Sequence, residues 1–254
     1  MEKQAPDLRV DGLTVRYGPD LILKDVSFTV FKSEIFAILG GSGSGKSTIM
    51  RHAIGLERPE NGRIWIKGYE ITGADETAFF ATLKNIGVLF QGSALIGSMT
   101  VGENVALPIT EFTGLPRDAV TAMVRVKLGL VGLDCYENHL PSEISGGMKK
   151  RAGLARALAL NPGILFLDEP SAGLDPVTAS EIDELILRIN KRLGTTIIIV
   201  THDLGSIFTV AGRAIMIDKS TLGIIAEGSP DDLKEKSTNP VVKGFFMRKA
   251  IATS

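Results

Sequence analysis

Four short apolar runs in this chain share one design, because each ends in a glycine or a polar residue. The runs are Ile35–Leu39 before Gly40, Ile86–Phe90 before Gln91, Ile164–Leu167 before Asp168, and Thr196–Val200 before Thr201 and His202. Continuous apolar runs of this length are typical of parallel strands that are covered on both faces. In open α/β sheets, ligands bind beyond the carboxyl ends of the strands. We therefore expect the four runs to deliver Gly40, Gln91, Asp168 and His202 to one crevice.

Three other parts of the chain follow different patterns. Residues 8–31 alternate apolar and polar positions around a break at Gly18-Pro19, which predicts antiparallel strands. A further strand is predicted over residues 63–67, after the turn at Asn61-Gly62. Residues 92–159 carry helical spacing, and we interpret them as a helical subdomain inserted in an α/β core.

Composition narrows the class of protein. The 254 residues fit one large α/β domain, with hydrophobic and charged shares of 44% and 22% that are ordinary for a globular protein. The net charge of −1 lacks the basic excess of a nucleic-acid-binding protein, so no nucleic-acid partner is expected. We find neither a spanning apolar run nor a signal peptide, and expect a cytosolic chain not integral to a membrane. The single cysteine, Cys135, is interpreted as an inert thiol.

A glycine-rich motif follows the first apolar run and matches a phosphate-binding P-loop. It consists of Gly40, Gly41, Ser42, Gly43, Ser44, Gly45, Lys46 and Ser47, with Thr48 next. The glycines let backbone N–H groups turn towards phosphate oxygens, and the following helix adds the positive end of its dipole. In such a loop Lys46 reaches the β- and γ-phosphates of a nucleotide, and the Ser47 hydroxyl binds Mg²⁺.

The third apolar run ends in two acidic residues, Asp168 and Glu169. Such a pair also occurs in solvated turns, but its presence beside a P-loop in one chain points to phosphoryl transfer. Asp168 would hold Mg²⁺, either directly or through water, and Glu169 would polarise the attacking water molecule.

A second helix start has the features of an anion site. Ser145 is a good N-cap, and Gly146 and Gly147 permit an anion to approach free N–H groups closely. From Met148 onwards, apolar positions recur on one helical face. An ordinary glycine-rich cap is the alternative interpretation.

These motifs together resemble those of ABC ATPases over roughly residues 8–230. Ser145-Gly146-Gly147 before a basic helix is similar to the signature motif, and Leu167-Asp168-Glu169 follows downstream. Gln91 resembles the Q-loop glutamine, Ser171–Asp175 the D-loop, and His202 the switch histidine. The implied fold is α/β, a P-loop NTPase of the ABC ATPase type. It has a mainly parallel sheet core, an N-terminal antiparallel β subdomain and an inserted helical subdomain.

The resemblance implies a head-to-tail homodimer that holds two ATP molecules at its interface. The P-loop of one subunit would face Ser145, Gly146 and Gly147 of the other across each nucleotide. Tyr17 matches the aromatic residue that stacks on adenine, with a surface turn tyrosine as the alternative. Gln91 would sense the γ-phosphate and Mg²⁺, while its loop touches an integral-membrane permease. His202 would hold the γ-phosphate and the water, with Glu169 as base, and His52 and His139 are expected to be structural or exposed.

Two departures from the common family pattern narrow the resemblance. Met148 replaces the glutamine that usually continues the signature, and residues 92–108 form an unusual segment after Gln91. Both features look like the ATPases of bacterial lipid transporters of the mammalian-cell-entry (MCE) type, including the maintenance-of-lipid-asymmetry (Mla) system. The implied partners are a permease, a periplasmic MCE protein and a small cytosolic accessory protein. The implied location is the cytoplasmic face of the bacterial inner membrane, with phospholipid as the cargo.

Other interpretations stay open at this point. An importer of another solute would carry most of the same motifs. A soluble ABC protein acting on ribosomes or DNA usually has two ATPase domains or long insertions, and a P-loop kinase or GTPase lacks the Ser-Gly-Gly signature. We place the ABC ATPase domain at 8–233, the inserted helical subdomain at 92–159 and a C-terminal tail at 234–254. Phe245 and Phe246 in that tail either pack on their own domain or reach the partner subunit.

Overall fold

A computed structural model describes residues 5–247 of the chain. Within this range the fold divides into two compact units. The first comprises residues 5–83 and 196–247, and the second comprises Lys84–Thr195.

The elements of each unit are as follows. The first unit contains β1 (Pro6–Tyr17), β2 (Asp20–Phe31), β3 (Ile35–Gly40), α1 (Lys46–Ala53), β4 (Asn61–Ile66), β5 (Tyr69–Glu70), α2 (Glu76–Leu83), β8 (Thr196–Val200), α7 (Leu204–Val210), β9 (Arg213–Asp218), β10 (Gly223–Gly228), α8 (Pro230–Glu235) and α9 (Pro240–Met247). The second unit contains β6 (Ile86–Leu89), α3 (Val101–Phe112), α4 (Arg117–Leu130), a 3₁₀ turn (Pro141–Glu143), α5 (Gly146–Ala157), β7 (Ile164–Asp168) and α6 (Pro176–Leu193).

The N-terminal part of the first unit is an antiparallel sheet in the order β2-β1-β4-β5. Alternate β1 positions such as Leu8 and Val10 are buried, while the other face is polar. On that polar face the Arg9 guanidinium lies over the Trp65 ring at 4.8 Å, and the two residues are cross-strand partners. The predicted antiparallel strands are therefore confirmed, with β4 at Asn61–Ile66 in place of 63–67.

The buried centre of the first unit is β3, all of whose six residues are buried. It pairs in parallel with β8 on one side and with β9 on the other. The edge strand β10 runs antiparallel to β9, which makes this part of the sheet mixed. The sequence patterns did not predict β9 or β10, although Ala214–Ile217 form a short apolar run. The β10 positions are nearly all only half-buried, and they alternate too weakly to stand out.

The second unit has two parallel strands, β6 and β7, with helices between them in sequence. Two of its helices begin at a clear capping signal: Thr100 forms a capping box with Glu103 before α3, and Asp175 caps α6 through the N–H groups of Val177 and Thr178. The predicted subdomain 92–159 contains α3, α4 and α5, while the compact unit also includes β6, β7 and α6. The boundaries 8–233 and 92–159 stay a prediction.

The C-terminal segment folds back onto the first unit. Phe246 of α9 is 6% exposed and lies in a core cluster with Leu39, Ile207 and Met216. Its ring centroid is 5.6 Å from that of Phe208. The alternative in which the paired phenylalanines reach a partner subunit is therefore wrong for Phe246, because its side chain is buried in the core of its own chain. Residues 248–254 of the predicted tail lie outside the described range.

Among residues 5–247, no helix combines the length and the apolar composition that crossing a bilayer requires.

The packing of α9 leads to a test of stability. Phe246→Ala should lower the free energy of unfolding by about 3–5 kcal/mol, because it empties a buried site between β-strands and α7. Phe245→Ala is the matched control, since Phe245 is only half-buried and packs edge-on against Phe246, and it should cost about 1 kcal/mol. Urea denaturation of the three proteins measures both losses. Equal losses would contradict the packing described here.

Candidate ATP-hydrolysis site

The P-loop connects the buried strand β3 to helix α1, as the sequence predicted. Gly45 is the N-cap of α1 and has φ 99°, a conformation in which a Cβ would lie 2.7 Å from Leu23 Cδ2. Only glycine meets both conditions without strain. The loop is thereby forced to turn so that α1 begins directly after it.

The start of α1 has the features of an anion-binding site. No side chain caps its first N–H groups, and its first turn holds no acidic residue. Lys46 Nζ donates to the carbonyl oxygens of Gly40 at 2.9 Å and Gly41 at 2.8 Å, which places the ammonium over the loop. Uncapped N–H groups, a helix dipole and a lysine together form the arrangement that binds phosphate groups.

Tyr17 ends β1 and lies beside α1. Its ring is 43% exposed, and its hydroxyl hydrogen-bonds to the carboxylate of Glu57. Burial raises the pKa of the Tyr17 hydroxyl, the Glu57 carboxylate raises it further, and hydrogen bonds with Thr48 and Arg51 oppose that rise. The phenol is therefore held at the P-loop helix, and part of its ring surface is open for stacking.

His202 lies two residues after the end of β8, in line with the predicted position at a strand end, and its side chain is exposed. The loop around it is ordered by Asp203, whose backbone N–H donates to Thr201 Oγ1 at 3.1 Å and whose carboxylate accepts from Gly205 N at 2.9 Å. His52 is structural, as expected, because it is buried with Nδ1 2.8 Å from the Thr48 carbonyl oxygen.

In the second unit, Asp168 ends β7 and Glu169 turns the chain sharply. Glu169 has φ 48°, a left-handed conformation that costs a non-glycine residue about 1–3 kcal/mol. Its carbonyl oxygen accepts two hydrogen bonds, from Ala172 N at 3.2 Å and from Lys150 Nζ at 2.9 Å. The residue is 8% exposed. A strained backbone conformation persists only where neighbouring groups stabilise it. Here two hydrogen bonds stabilise the backbone of Glu169, the proposed base.

Lys150 is a residue that the sequence analysis did not single out. Its ammonium group also donates to the Gln91 carbonyl oxygen at 2.5 Å, so one side chain joins the segment after β6 to the segment after β7. Burial lowers the pKa of Lys150, and the carboxylates of Glu169 and Asp168 oppose that shift. The sequence signal that could have indicated Lys150 is its spacing of three residues from both Gly147 and Gly153. All three residues lie on the buried face of α5.

The segment after Gln91 is held from two helices. Arg156 of α5 donates to the carbonyl oxygens of Ser93 at 2.8 Å and Ala94 at 2.7 Å, both residues having positive φ. Asn104 of α3 is fully buried and bonds both the N–H and the carbonyl of Ile96. The loop therefore has a defined backbone although Gln91 itself is exposed.

The helix start at Ser145 has the expected cap, with Ser145 Oγ accepting from Met148 N at 3.3 Å. The two glycines that follow are not equivalent. A Cβ at Gly147 would lie 2.5 Å from Thr178 Cγ2, and Thr178 is fixed by its hydroxyl bond to Asp175. A Cβ at Gly146 would meet only Leu174 Cδ2, at an ordinary 3.7 Å. Packing within the unit therefore explains Gly147 but not Gly146.

The predicted magnesium ligands present the donor atoms that Mg²⁺ prefers. The Ser47 hydroxyl, the Gln91 amide oxygen and the Asp168 carboxylate are all oxygen donors, and none of these three residues is buried. The donor set fits the ion. Ser47 lies in the first unit, and Gln91 and Asp168 lie in the second.

The structure brings together two groups of the predicted residues. The P-loop and Tyr17 meet at α1 in the first unit, and Gln91 and Glu169 meet at Lys150 in the second. The convergence of all four strand ends on one crevice stays a prediction.

Comparison with known proteins identifies the family. The model of the ABC transporter family matches residues 23–172, which include the P-loop, the Ser-Gly-Gly motif and the Asp168-Glu169 pair. The chain belongs to the ABC transporter family. It has the ATPase activity of the family's cassettes, and that activity is coupled to transport.

Two relatives illustrate the similarity within this family. The probable ribonucleotide transport ATP-binding protein mkl of Mycobacterium tuberculosis (strain H37Rv) is 41% identical over 244 residues, covering 96% of this chain and 67% of the relative. The methionine import ATP-binding protein MetN of Brucella abortus (strain 2308) is 40% identical over 226 residues, covering 89% of this chain and 60% of the relative.

Solved structures of ABC cassettes share the fold. The cassette MJ0796, in a dimeric post-hydrolysis state with ADP and Pi, is 29% identical with a TM-score of 0.79, over 88% of this chain and 98% of that one. The cbiO1 protein of Clostridium perfringens, part of the cbiONQ ABC transporter complex, is 31% identical with a TM-score of 0.83, over 92% of each chain. The α/β fold of the ABC ATPase type is thus confirmed.

The geometry of the α5 start leads to a test that separates capping from anion binding. Ser145→Asp should keep the helix stable, because aspartate is an equally good N-cap. It should nevertheless lower ATP turnover at least about tenfold, because its carboxylate would face the phosphates of ATP. Thermal unfolding and steady-state ATPase assays of the purified protein measure the two effects.

Ser145→Ala is the matched control, because it removes the cap and adds no charge. It should cost about 1 kcal/mol of stability and affect turnover less than the aspartate does. An aspartate variant that hydrolyses ATP at the normal rate would exclude Ser145 from the nucleotide site.

Proposed function

We propose that this chain powers phospholipid transport as the ATPase subunit of an MCE/Mla-type complex, peripheral on the cytoplasmic face of a bacterial inner membrane. Its partners would be a permease, a periplasmic MCE protein and a small cytosolic accessory protein. Support for the lipid class comes from Met148 in the signature and from the segment at residues 92–108. The observation that carries ATP-driven action is the pair of helix starts, at α1 and α5, that lack acidic residues in their first turns.

ATP would be held between two copies of the chain. A cassette needs a helix start with N–H groups on each side of the triphosphate, and in each copy α1 supplies one such helix start. Ser145 and Gly146 are exposed, so the start of α5 is open to a neighbour. The cassette MJ0796, whose structure is dimeric, supports an arrangement of two copies. Gly146, which packing does not explain, would then be needed for close approach to the partner's nucleotide.

Hydrolysis would depend mainly on positioning and on charge stabilisation of the γ-phosphoryl group. Lys46 would bind the β- and γ-phosphates. Glu169 would orient the attacking water and accept its proton, and His202 and the Gln91 side chain would hold the γ-phosphate side. Tyr17 would stack on adenine. Ser47, Gln91 and Asp168 would hold Mg²⁺, which neutralises phosphate charge when it is bound.

Coupling to the permease would pass through the loop after Gln91. Phe90 and Ile96 are large apolar residues that are more than a third exposed, in a segment whose backbone Asn104 and Arg156 hold in place. An ordered loop with exposed apolar side chains suits contact with another protein. Closure of the dimer around ATP would then push on the permease through this loop.

A second candidate is an importer of another solute. The names of the relatives favour it, because mkl is named for ribonucleotide transport and MetN for methionine import. The same ATPase geometry would serve either cargo, since cargo is selected by the permease and its partners.

The assignment of Glu169 is tested by Glu169→Gln. We expect turnover to fall at least about a hundredfold, because an amide cannot accept the proton of water, while ATP binding stays unchanged. Steady-state ATPase assays and equilibrium binding of a fluorescent ATP analogue measure the two quantities. Normal turnover in this variant would remove Glu169 from the mechanism.

Lys46→Ala is the contrasting control for that experiment. It removes the ammonium that would contact the phosphates, so it should weaken nucleotide binding as well as turnover. Retained affinity and activity in this variant would refute the P-loop assignment.

The lipid class is tested by purifying the chain from membranes with its partners and identifying bound lipid by mass spectrometry. A permease, an MCE protein and phospholipid are the expected result. A permease accompanied by a ribonucleotide-, sugar- or amino-acid-binding protein, with no MCE protein, would overturn the lipid proposal and support the second candidate.

A further inference from the structure

Helix α5 carries a buried charge whose position the signature motif does not explain. Lys150 is 5% exposed and is one of the buried residues of α5. A buried ammonium is costly unless it is hydrogen-bonded. Here two carbonyl oxygens accept from it, that of Gln91 at 2.5 Å and that of Glu169 at 2.9 Å.

The two acceptors are backbone atoms of residues to which roles in hydrolysis are assigned above. Gln91 lies two residues after the end of β6, and Glu169 directly follows β7. Backbone acceptors matter because they set where each side chain starts. Lys150 therefore acts on both side chains without touching the reacting atoms.

The conformation of Glu169 adds to the need for such a contact. With φ at 48° the residue is in the left-handed region, which a glutamate rarely adopts. Its carbonyl also accepts from Ala172 N at 3.2 Å, so the turn is closed on one side by the backbone and on the other by Lys150. Burial lowers the pKa of Lys150, and the carboxylates of Glu169 and Asp168 oppose that shift by favouring the charged form.

We propose that Lys150 is a positioning residue for hydrolysis, which fixes the backbones of Gln91 and Glu169 relative to each other through one buried ammonium group. The proposal rests on the roles of Gln91 and Glu169 given under the proposed function. A shift of about 1 Å in a positioned group can lower turnover a hundredfold while leaving binding intact. Movement of the Gln91 loop would thereby reach the proposed base through a single side chain.

Lys150→Met tests this directly, because methionine fills similar volume and donates no hydrogen bond. We expect kcat for ATP to fall at least about tenfold. KM and the dissociation constant of a fluorescent ATP analogue should stay within about threefold of the original values, because the P-loop is untouched. Lys150→Arg should recover most of the lost kcat, since a guanidinium can donate to both carbonyls. The assays use the full chain with its membrane partners.

Lys127→Met is the matched control for loss of a buried lysine. Lys127 lies in the same unit, is 4% exposed, has its pKa lowered by burial as Lys150 does, and donates to Asn161 Oδ1 instead of to Gln91 or Glu169. We expect a comparable fall in Tm with kcat within about twofold of the original. A tenfold loss of kcat in both variants would make the Lys150 effect merely structural and overturn the proposal.

Two further outcomes are decisive. If Lys150→Met does not fold, Lys150→Ser is used in its place. The shorter side chain leaves space for water, which can hydrogen-bond to the carbonyl oxygens of Gln91 and Glu169 but does not fix their positions. The same loss of kcat is expected. Full activity in the folded variant would overturn the inference. Glu169→Gln separates failure of the proposed function from failure of the inference about Lys150. If Glu169→Gln hydrolyses ATP normally, the proposed role of Glu169 is wrong. If Glu169→Gln is inactive and Lys150→Met is fully active, only the positioning role of Lys150 is wrong.

Discussion

The attraction between a polyanion and the N–H groups at a helix start is the interaction on which the account depends. Helix α1 begins at a glycine without a side-chain cap, and α5 begins at Ser145 with two glycines after it. Neither helix carries an acidic residue in its first turn, although acidic residues stabilise isolated helices there. Each helix therefore lacks a stabilising negative charge at the end where a bound phosphate would provide one.

The rest of the fold holds these helix starts and the groups near them. In the first unit the fully buried β3 leads into the P-loop, and Gly45 makes the turn to α1 possible. In the second unit α5 does more than present its start, because Lys150 and Arg156 extend from it to the backbone of the Gln91 loop and of Glu169. The helix that would contact the partner's nucleotide thus also orders its own subunit's catalytic segments. Under the proposal, ATP binding and the position of the proposed base would be linked by a physical path within one chain.

Sequence patterns predicted the parts of this arrangement that depend on local chemistry. The strands β3, β7 and β8 are predictable because almost all of their residues are buried and their sequences are continuously apolar, and the short run of β6 shares that apolar pattern although it is only partly buried. The cap at Ser145 is predictable because capping is local. The strand β10 has too weak a pattern to predict, because it is half-buried along nearly its whole length, whereas β9 carries the short apolar run Ala214–Ile217 and could have been predicted from it. Lys150 was missed because a lysine on a helix usually faces water, and its acceptors at Gln91 and Glu169 are distant in sequence. The α9 packing could not be read from its two phenylalanines alone, since burial depends on which surface receives them.

The central claim is that each ATP lies between the P-loop of one copy and the α5 start of the other. Cysteine cross-linking tests it in the hydrolysis-deficient Glu169→Gln chain, with the exposed Cys135 replaced by serine and with Ser42→Cys and Ser145→Cys introduced. The account predicts a covalent dimer on a denaturing gel that forms with ATP and not without nucleotide. Chains that bind ATP but form no ATP-dependent cross-link between these two positions would contradict it.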